Sequence, residues 1–486
     1  MKTESNIYNN PRENNRAFVN NIKTGVIWNS LLGFGRQGLN FLATIILARL
    51  LTPEDYGLLG MMAILVSVSE VLMEAGLGAA LIKKQDVKEI DYSTLSTYNV
   101  VIAIILYALI FFTSPFVSEF YATSSLKLYI RLYAVVILID SLSIVPKVQL
   151  MKDLKFKQLS IINIASGICG LIGAIILALM NTGIFSLIFQ YIISSIVLTL
   201  SLVIFTKYKP VFSFSLNSFK EMIGFGLNTT GANILKSSTE NIFVNAVAKI
   251  SPLSTAGFFN QSYKLQNVLS SICNTVIDGA LFPVLSKESN GSIVRHSTSL
   301  NYYSMSLLSF IVFLLIINIE IVILIFLGEK WTGTIPFLKV FLLVGLIQTY
   351  TSLNRNLLKS LGITLDILIF ETIASICCLS LMLIWGHNVN YLLILLLLYV
   401  VLRFSMSIFA LHRKNIITII ESIKITLKAT MPSLFPFIIC TLLTEVYYIK
   451  SIVIINLLYI FLFIVISRLV GFNILAFIRR YPNDCK

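Results

Sequence analysis

Four basic side chains inside long hydrophobic runs are the residues of this sequence with the greatest potential for chemistry. They are Arg36 in GFGRQGLN, Lys236 in TTGANILKSSTEN, Lys264 in FFNQSYKLQN and Arg355 in TSLNRNLLKS. Since stretches this polar are poor partners for lipid on every side, we expect their polar faces to line an aqueous cavity. Four cations around one cavity repel each other unless it serves an anionic ligand or holds compensating carboxylates. The pattern therefore predicts a cationic cavity for an anion.

Acidic and amide side chains accompany these cations. The candidate carboxylates are Glu74, Glu240 and Asp278. Because burial can bring the pKa of an acid into a usable range, we expect them to act in gating or in coupling to H+ or Na+. The amides expected to line the same cavity are Gln37, Asn40, Asn260, Gln261 and Asn354. The alternative, in which these charges form scattered structural pairs, stays open.

Other charges in apolar segments have simpler explanations. Lys339 and Arg468 lie near the ends of hydrophobic runs, where a long basic side chain can reach the interface. Arg131 and Asp140 are candidates for a structural charge pair, and Glu371 for a local polar contact. A charge at the bilayer centre costs about 2.5–3.5 kcal/mol on insertion scales, so each is expected to have a partner.

The elements that must position these residues are membrane-spanning helices. Hydrophobic residues make up 57% of the 486-residue chain and charged residues only 12%, about half the charged share of a soluble protein. Apolar runs long enough to cross a bilayer recur along the whole chain. The composition predicts an all-α polytopic membrane protein.

We predict about fourteen transmembrane helices. The expected segments are 22–50, 53–82, 93–118, 126–148, 157–180, 183–206, 219–249, 253–285, 300–329, 334–358, 365–386, 390–411, 428–446 and 451–474. The segments 22–50, 219–249 and 253–285 are the weakest, because they are rich in Gly, Asn, Ser and Gln.

The distribution of Lys and Arg supports this topology. With the N-terminus in the cytoplasm, 24 of the 37 basic residues fall on the cytoplasmic side, 5 on the outer side and 8 inside spans. Such asymmetry follows the positive-inside rule and places both termini in the cytoplasm. It also explains the net charge of +14 by topology and lipid contact, so no nucleic-acid partner is expected.

The sequence contains an internal repeat. LLGFGRQGLNFLATIILAR at 31–49 is similar to MIGFGLNTTGANILKSSTENIFVNAVAK at 222–249, and the following ARLLTPEDYG is echoed by AKISPLSTAG. We therefore expect two pseudo-symmetric six-helix lobes around a central cavity, plus a C-terminal helix pair. The predicted divisions are a polar tail at 1–21, an N-lobe at 22–212, a C-lobe at 213–412 and the remainder at 413–486.

The segment ARLLTPEDYG, which we interpret as the tip of a helical hairpin, contains a strong helix-start signal. Thr52 is placed to cap a helix, Pro53 stands at its first position, and Asp55 follows three residues after the cap. The tip is expected on the outer side, between the first and second spans.

Signatures of catalysis are missing from the sequence. The three histidines lie at span ends or in loops, so no metal cluster is expected. There is no GxxxxGK[ST] phosphate loop and no GxSxG nucleophile elbow. We predict that the protein is not an enzyme and needs no cofactor.

The stretch ARLLTPEDYGLLGMMAILVSVSEVLMEAGLGAALIKKQD at 48–86 resembles the signature region of bacterial polysaccharide-unit flippases. These form the Wzx-type branch of the multidrug/oligosaccharidyl-lipid/polysaccharide exporter superfamily. GFGL, AGFFNQSYKLQN, LFPVLSK and LGEKW resemble the landmarks of the second half of such proteins. The resemblance implies fourteen helices, alternating access, and an undecaprenyl-diphosphate-linked oligosaccharide moved across the bacterial cytoplasmic membrane.

This resemblance suits the predicted cavity, because Arg binds a diphosphate bidentately, Lys acts as a point charge, and amides suit sugar hydroxyls. Arg36, Lys236, Lys264 and Arg355 are the expected diphosphate contacts. A polysaccharide polymerase and a chain-length regulator are candidate partners, beside membrane lipids. The alternatives are a peptidoglycan-precursor flippase, a multidrug exporter of the same superfamily, and a non-transporting assembly scaffold.

Overall fold

A computed structural model describes residues 33–469, apart from 34, 36, 286–289, 362 and 447–451. At 224–229, 272–285, 290–301, 360, 364, 445 and 446 it describes the backbone alone. All described elements are helical. They are α1 Gln37–Leu50, α2 Pro53–Glu74, α3 Leu77–Lys83, α4 Glu89–Phe120, α5 Leu126–Ser141, α6 Ile144–Lys152, α7 Phe156–Leu179, α8 Ile184–Thr206, α9 Leu216–Ile250, α10 Leu253–Leu285, α11 Asn290–Ile317, α12 Ile319–Phe326, a short 3₁₀ helix Glu329–Thr334, α13 Ile335–Ser360, α14 Thr364–Trp385, α15 Val389–Arg413, α16 Ile419–Val446 and α17 Ile452–Leu469.

The described part of the chain contains nine helices that are long and apolar enough to cross a membrane, and eleven if two bent pairs count as one span each. This confirms a multi-pass helical membrane protein. The other three predicted spans coincide with α1, whose described part is apolar but short, and with α9 and α10, which are long but more polar. The full count of fourteen and the division into two six-helix lobes stay predictions.

Three predicted spans contain a break. Helices α2 and α3 meet at Ala75 and Gly76, both with positive φ, of 38° and 70°. Gly adopts this left-handed region readily, whereas Ala pays a steric cost there. Helices α5 and α6 are bent by 42° and α11 and α12 by 74°. The break after α2 comes directly after Glu74, so this residue lies at a helix end instead of in the middle of a span.

The predicted helix start at Thr52 is confirmed as a capping box. The Asp55 amide donates to Thr52 Oγ1 over 3.4 Å, and the Thr52 amide donates to Asp55 Oδ2 over 3.0 Å. Pro53 occupies the first turn, where its missing N–H is not needed.

Helix α2 lies at the centre of the bundle. It packs against α4, α5 and α8 from the first half of the chain and against α9 and α10 from the second half. The second half is held together by α13 and α15, while α16 packs on α11 and α17 on α16. The two halves therefore meet along α2 and α10.

The hairpin tips at 49–57 and 249–257 lie at the same end of the bundle, here called the tip end. A methyl group added to Gly57 would collide with the Leu253 carbonyl oxygen, and one added to Gly257 with that of Pro53. Each of the two matching glycines thus lets the first turn of one helix approach the backbone of the other. The contact is reciprocal, as the repeat in the sequence requires.

Two basic residues at matching positions make a second reciprocal contact. Arg49, at the end of α1, donates to the Phe326 carbonyl oxygen at the end of α12, over 2.9 Å. Lys249, near the end of α9, donates to the Phe120 carbonyl oxygen at the end of α4. Carbonyls at helix ends lack partners within the helix, and cations are favoured there. Each half of the chain thus caps a helix of the other half.

The LGEKW motif strengthens the tip end. Lys330 Nζ donates to the carbonyl oxygens of Arg49 and Leu51 over 2.8 and 2.7 Å. Trp331 is fully buried, donates from Nε1 to the Ala48 carbonyl over 2.8 Å, and packs edge-on against Tyr56. The motif closes this end of the bundle across both halves.

A smaller, polar contact joins the two halves of the chain at the end of the bundle opposite the tip end. Lys84 Nζ lies 3.1 Å from an oxygen of Asp91 on α4 and 2.9 Å from Glu221 on α9. The hydrogen bond to Glu221 raises the pKa of Lys84 above its usual value. Ser218 also donates to Asp91. Because Glu221 is exposed, this link is more accessible to solvent than the aromatic contact at the tip end.

Candidate functional site

The second half of the chain contains a buried charge cluster, here called the charge cluster: Lys236, Glu240, Arg355, Glu371 and Arg403. Its centre is a bidentate pair between α14 and α15. Arg403 Nε lies 2.8 Å from Glu371 Oε2, and its Nη2 lies 2.7 Å from Oε1. Both side chains are buried, with exposures of 3% and 0%. Removing one partner of such a pair leaves an uncompensated charge in the interior.

Three more charged residues surround this pair. Arg403 Nη1 lies 3.4 Å from Glu240 on α9, and Arg355 Nη1 on α13 lies 3.7 Å from Glu371. Lys236, one turn before Glu240, lies 4.0 Å from it with 38% of its side chain exposed. Three cations thus face two carboxylates, which leaves one excess positive charge.

Polar neighbours complete the charge cluster. Gln348 Nε2 donates to Glu240 over 3.1 Å, and the Tyr263 hydroxyl donates to it over 3.3 Å. Arg355 Nη2 donates to Asn233 Oδ1 over 2.5 Å, while its Nε has no hydrogen-bond partner among the described residues. An unpartnered buried donor is costly. Arg355 Nε and the accessible Lys236 together allow the charge cluster to bind an anion.

A separate cavity of about 440 Å³ opens in the first half of the chain, here called the N-half cavity. Helices α1, α2, α5, α7 and α8 line it, and α10 adds residues from the second half. Its charged residues among those that the structure describes are Glu70, Asp140 and Lys264. Amides and hydroxyls make up most of the remaining polar lining: Asn40, Asn163, Gln190, Ser194, Ser195 and Asn267.

Lys264 enters this cavity from α10. Its Nζ lies 5.0 Å from the centre of the Tyr56 ring, a cation–π contact. The preceding residue, Tyr263, reaches the charge cluster instead. Since successive residues of a helix point about 100° apart, α10 presents one side to the cluster and another to the N-half cavity.

The four predicted diphosphate contacts therefore separate. Lys236 and Arg355 lie in the charge cluster, and Lys264 lies in the N-half cavity. Arg36 falls outside the described residues. Glu240 joins the cluster, Glu74 is exposed at the end of α2, and the side chain of Asp278 is not among those described.

The predicted amides also have different environments. Asn40 lines the N-half cavity, whereas Gln37, one turn earlier, is half-buried outside its lining. Asn260 donates to the Tyr56 carbonyl over 2.7 Å and joins α10 to α2. Gln261 is fully buried, and Asn354 donates to Ser407 over 2.9 Å. The last three pack within the bundle and do not line this cavity.

Arg131 and Asp140 do not pair with each other. Arg131 donates to the Phe111 carbonyl over 3.2 Å and to Ser114 over 2.9 Å. Pro115 has no N–H for that carbonyl, so Arg131 replaces the hydrogen bond that the proline removes from α4. Asp140 instead accepts from Ser195 on α8 and lines the N-half cavity.

Two patterns in the sequence concern residues of the charge cluster and the N-half cavity that were not among the predicted site residues. Glu371 and Arg403 are sixteen residues before and after His387 in the loop of one helical hairpin, so they face each other at equal depth. Glu70 precedes Glu74 by four residues, on the same face of α2. The hairpin geometry therefore predicts the contact between Glu371 and Arg403, whereas the helical spacing shows only that Glu70 and Glu74 share a face of α2.

Residues 46–336, more than half of the chain, match the family described as polysaccharide biosynthesis protein. The teichuronic acid biosynthesis protein TuaB of Bacillus subtilis is 26% identical over 302 residues, which cover 60% of this chain and 62% of that protein. The lipopolysaccharide biosynthesis protein WzxC of Escherichia coli is 23% identical over 334 residues, 67% of each chain. The aligned region thus spans about two thirds of these relatives.

A solved structure of the lipid II flippase MurJ in an inward closed conformation has a similar fold. The TM-score is 0.74 at 16% sequence identity, and the match covers 91% of this chain and 98% of that one. At this identity the likeness concerns the fold alone.

Proposed function

Since this chain belongs to the polysaccharide biosynthesis protein family, we propose that it is a flippase for a lipid-linked oligosaccharide unit. The proposed carrier is undecaprenyl diphosphate. The proposed location is the bacterial cytoplasmic membrane with both termini in the cytoplasm, and the product serves synthesis of a cell-surface polysaccharide. The transporter fold and the relatives agree with a role in transport without catalysis.

The observation that carries the proposal is the excess positive charge of the charge cluster. Three cations and two carboxylates lie in the membrane-spanning part of the chain, where each charge is costly unless it is used. A diphosphate would bind Lys236 and Arg355 while Glu240 and Glu371 continue to hold Arg403. Arg presents several donors to phosphate oxygens, and Lys adds a point charge.

Alternating access requires the two halves to separate at one end while they meet at the other. The reciprocal contacts at the tip end and the Lys84 link at the opposite end are the proposed gates. Glu74, Glu240 and Asp278 are the proposed gating or coupling carboxylates, with H+ or Na+ as the ion. A polymerase and a chain-length regulator are the proposed protein partners.

A multidrug exporter is the second candidate, because the described lining of the N-half cavity includes two carboxylates and one lysine and could accept a cation. A peptidoglycan-precursor flippase would have the same need for a cationic site as the proposed function. The presence of a buried cationic cluster favours a lipid diphosphate over a cationic drug.

The test is export in cells that lack this gene, complemented with variants of the full chain. Lys236→Gln and Arg355→Gln should each cause lipid-linked oligosaccharide to accumulate on the cytoplasmic face, because each removes one phosphate contact. The matched control is Lys155→Gln, an exposed lysine paired with Asp153. Normal export in both cluster variants, at normal protein levels in the membrane, would overturn the proposal.

A further inference from the structure

We propose that Glu240 competes with the diphosphate for Lys236: it attracts this lysine in the unloaded protein and pairs with it again when the ligand leaves. Glu240 thereby lowers the affinity of the charge cluster and speeds release. The inference rests on the proposed function and deepens it, because it names what regulates release from the same site. It starts from a difference in contacts, since Glu240 is held by several helices and Lys236 only by a long ion pair to Glu240 among the described contacts.

The carboxylate of Glu240 is fixed by three other helices. Its Oε1 accepts a hydrogen bond from Gln348 on α13 over 3.1 Å and lies 3.4 Å from Arg403 Nη1 on α15. Its Oε2 accepts from the Tyr263 hydroxyl on α10 over 3.3 Å. Both oxygens therefore keep a partner when Lys236 moves away. The main cost of breaking a buried contact, an unsatisfied polar atom, does not arise.

The ammonium of Lys236 is able to change partner. Its Nζ lies 4.0 Å from Glu240, and its side chain is partly exposed. This distance is too long for a hydrogen bond but short enough for strong charge attraction. The ammonium carries three donors at the end of a flexible stem. Lys236 can thus turn from Glu240 to a phosphate oxygen without breaking a hydrogen bond between the two residues.

The position of both residues on α9 makes the competition unavoidable. Residues four apart on a helix are neighbours on its surface, so a phosphate bound by Lys236 lies near Glu240. Two anions then share one ammonium, and each weakens the attraction of the other. Because the spacing is set within one helix, the competition persists in every arrangement of the two halves. Product release limits the turnover of many enzymes, and a flippase must likewise release its ligand.

Glu371, the other carboxylate of the charge cluster, is less suited to this role. It lies 3.7 Å from Arg355, but its two oxygens are bonded to Arg403 over 2.7 and 2.8 Å. Arg355 Nε has no hydrogen-bond partner among the described residues. A phosphate can bind this Nε without displacing Glu371. Of the two carboxylates, Glu240 is therefore the competitor.

The direct test is Glu240→Gln, which removes the charge and keeps an oxygen that accepts hydrogen bonds. Arg403 keeps its bidentate partner in this variant. Binding of sugar-free undecaprenyl diphosphate to the full chain in lipid nanodiscs should become about tenfold tighter, mainly through slower dissociation. If the variant does not fold, Glu240→Asp replaces it; the shorter side chain withdraws the charge from Lys236, and about threefold tighter binding is expected. Equal or weaker binding by the folded variant would overturn the inference.

The matched control is Asp366→Asn. This substitution also removes a carboxylate from the second half of the chain, but Asp366 pairs with Arg413 and Lys414, outside the charge cluster. It should change the affinity less than about twofold. A gain as large as that of Glu240→Gln would reflect the total charge of the protein and contradict a specific competition.

A double-mutant cycle tests whether Glu240 acts through Lys236. In the Lys236→Gln background, the gain caused by Glu240→Gln should fall from about tenfold to below about threefold, because no ammonium is left to compete for. An undiminished gain would show that Glu240 repels the phosphate directly, and it would overturn the competition for Lys236.

Export in complemented cells tests the role in release. Glu240→Gln should export more slowly than the wild type although it binds more tightly, and wild-type export would contradict this role. The two proposals can also fail separately. If the wild type binds undecaprenyl diphosphate and Glu240→Gln binds it no more tightly, the inference fails and the proposed function stands. If neither folded protein binds it, the proposed function fails and the inference with it.

Discussion

Both halves of the chain place charged residues inside the helical bundle, but the arrangement of these residues differs between the halves. In the second half the charges are in contact with each other, and Glu371 and Arg403 form a bidentate pair in the core. In the first half they line an open cavity, with Glu70 and Asp140 around a space of about 440 Å³. The second half thus has a compact charge cluster, whereas the first half has an open cavity whose described charged residues are Glu70, Asp140 and Lys264. This difference is the reason that we propose the anion site in the second half of the chain.

The largest expected effect is in the compact site. Glu371→Gln should destabilise the protein by about 3–5 kcal/mol, because it removes the bidentate partner of the buried Arg403 and leaves that guanidinium only the longer contact to Glu240. Thermal unfolding in detergent measures the change. Asp140→Asn is the matched substitution in the open cavity, and we expect a loss several times smaller.

The control for this contrast is the double variant Glu371→Leu/Arg403→Leu, which removes both charges. Its stability should recover most of the loss, since well-packed apolar residues replace a buried pair at little cost. If Glu371→Gln and Asp140→Asn lower the unfolding temperature equally, the two sites do not differ as described.

A smaller effect is expected where the two halves are alike. At the tip end, Gly57→Ala and Gly257→Ala should each cost about 1–3 kcal/mol, because an added methyl group forces packed backbones apart. The same unfolding measurement applies. The matched control is Gly38→Ala, since a methyl group at Gly38 meets no atom within 4 Å.

Both tip variants should lose stability by similar amounts, because the contacts are reciprocal. A loss at only one of the two glycines, or an equal loss at Gly38, would contradict the two-fold character of this end.

Much of the fold could be predicted from the sequence because it depends on local patterns. The apolar runs predicted the helices, and Thr52 with Asp55 predicted the start of α2. The breaks were not predicted: Ala75 takes a left-handed conformation that its side chain disfavours, so its residue type does not indicate a break.

The candidate site was harder to predict, because it depends on which way each helix faces. Tyr263 and Lys264 are neighbours in sequence and lie in different sites. Asn260 has the composition of a cavity residue, yet it bonds to the backbone of α2. The type of a polar residue alone therefore does not show whether it lines a cavity or contacts another helix. The contact between Glu371 and Arg403 was easier to predict, because the two residues are equally far in sequence from the loop of their hairpin.

The measurement that tests the account most directly compares two matched lysines. Binding of sugar-free undecaprenyl diphosphate to the full chain in nanodiscs is measured for the wild type, Lys236→Gln and Lys264→Gln. We predict that Lys236→Gln weakens binding about tenfold, as expected for the loss of one charged contact, and that Lys264→Gln weakens it less than about twofold. An equal loss at both lysines, or a larger one at Lys264, would contradict the placement of the diphosphate in the charge cluster.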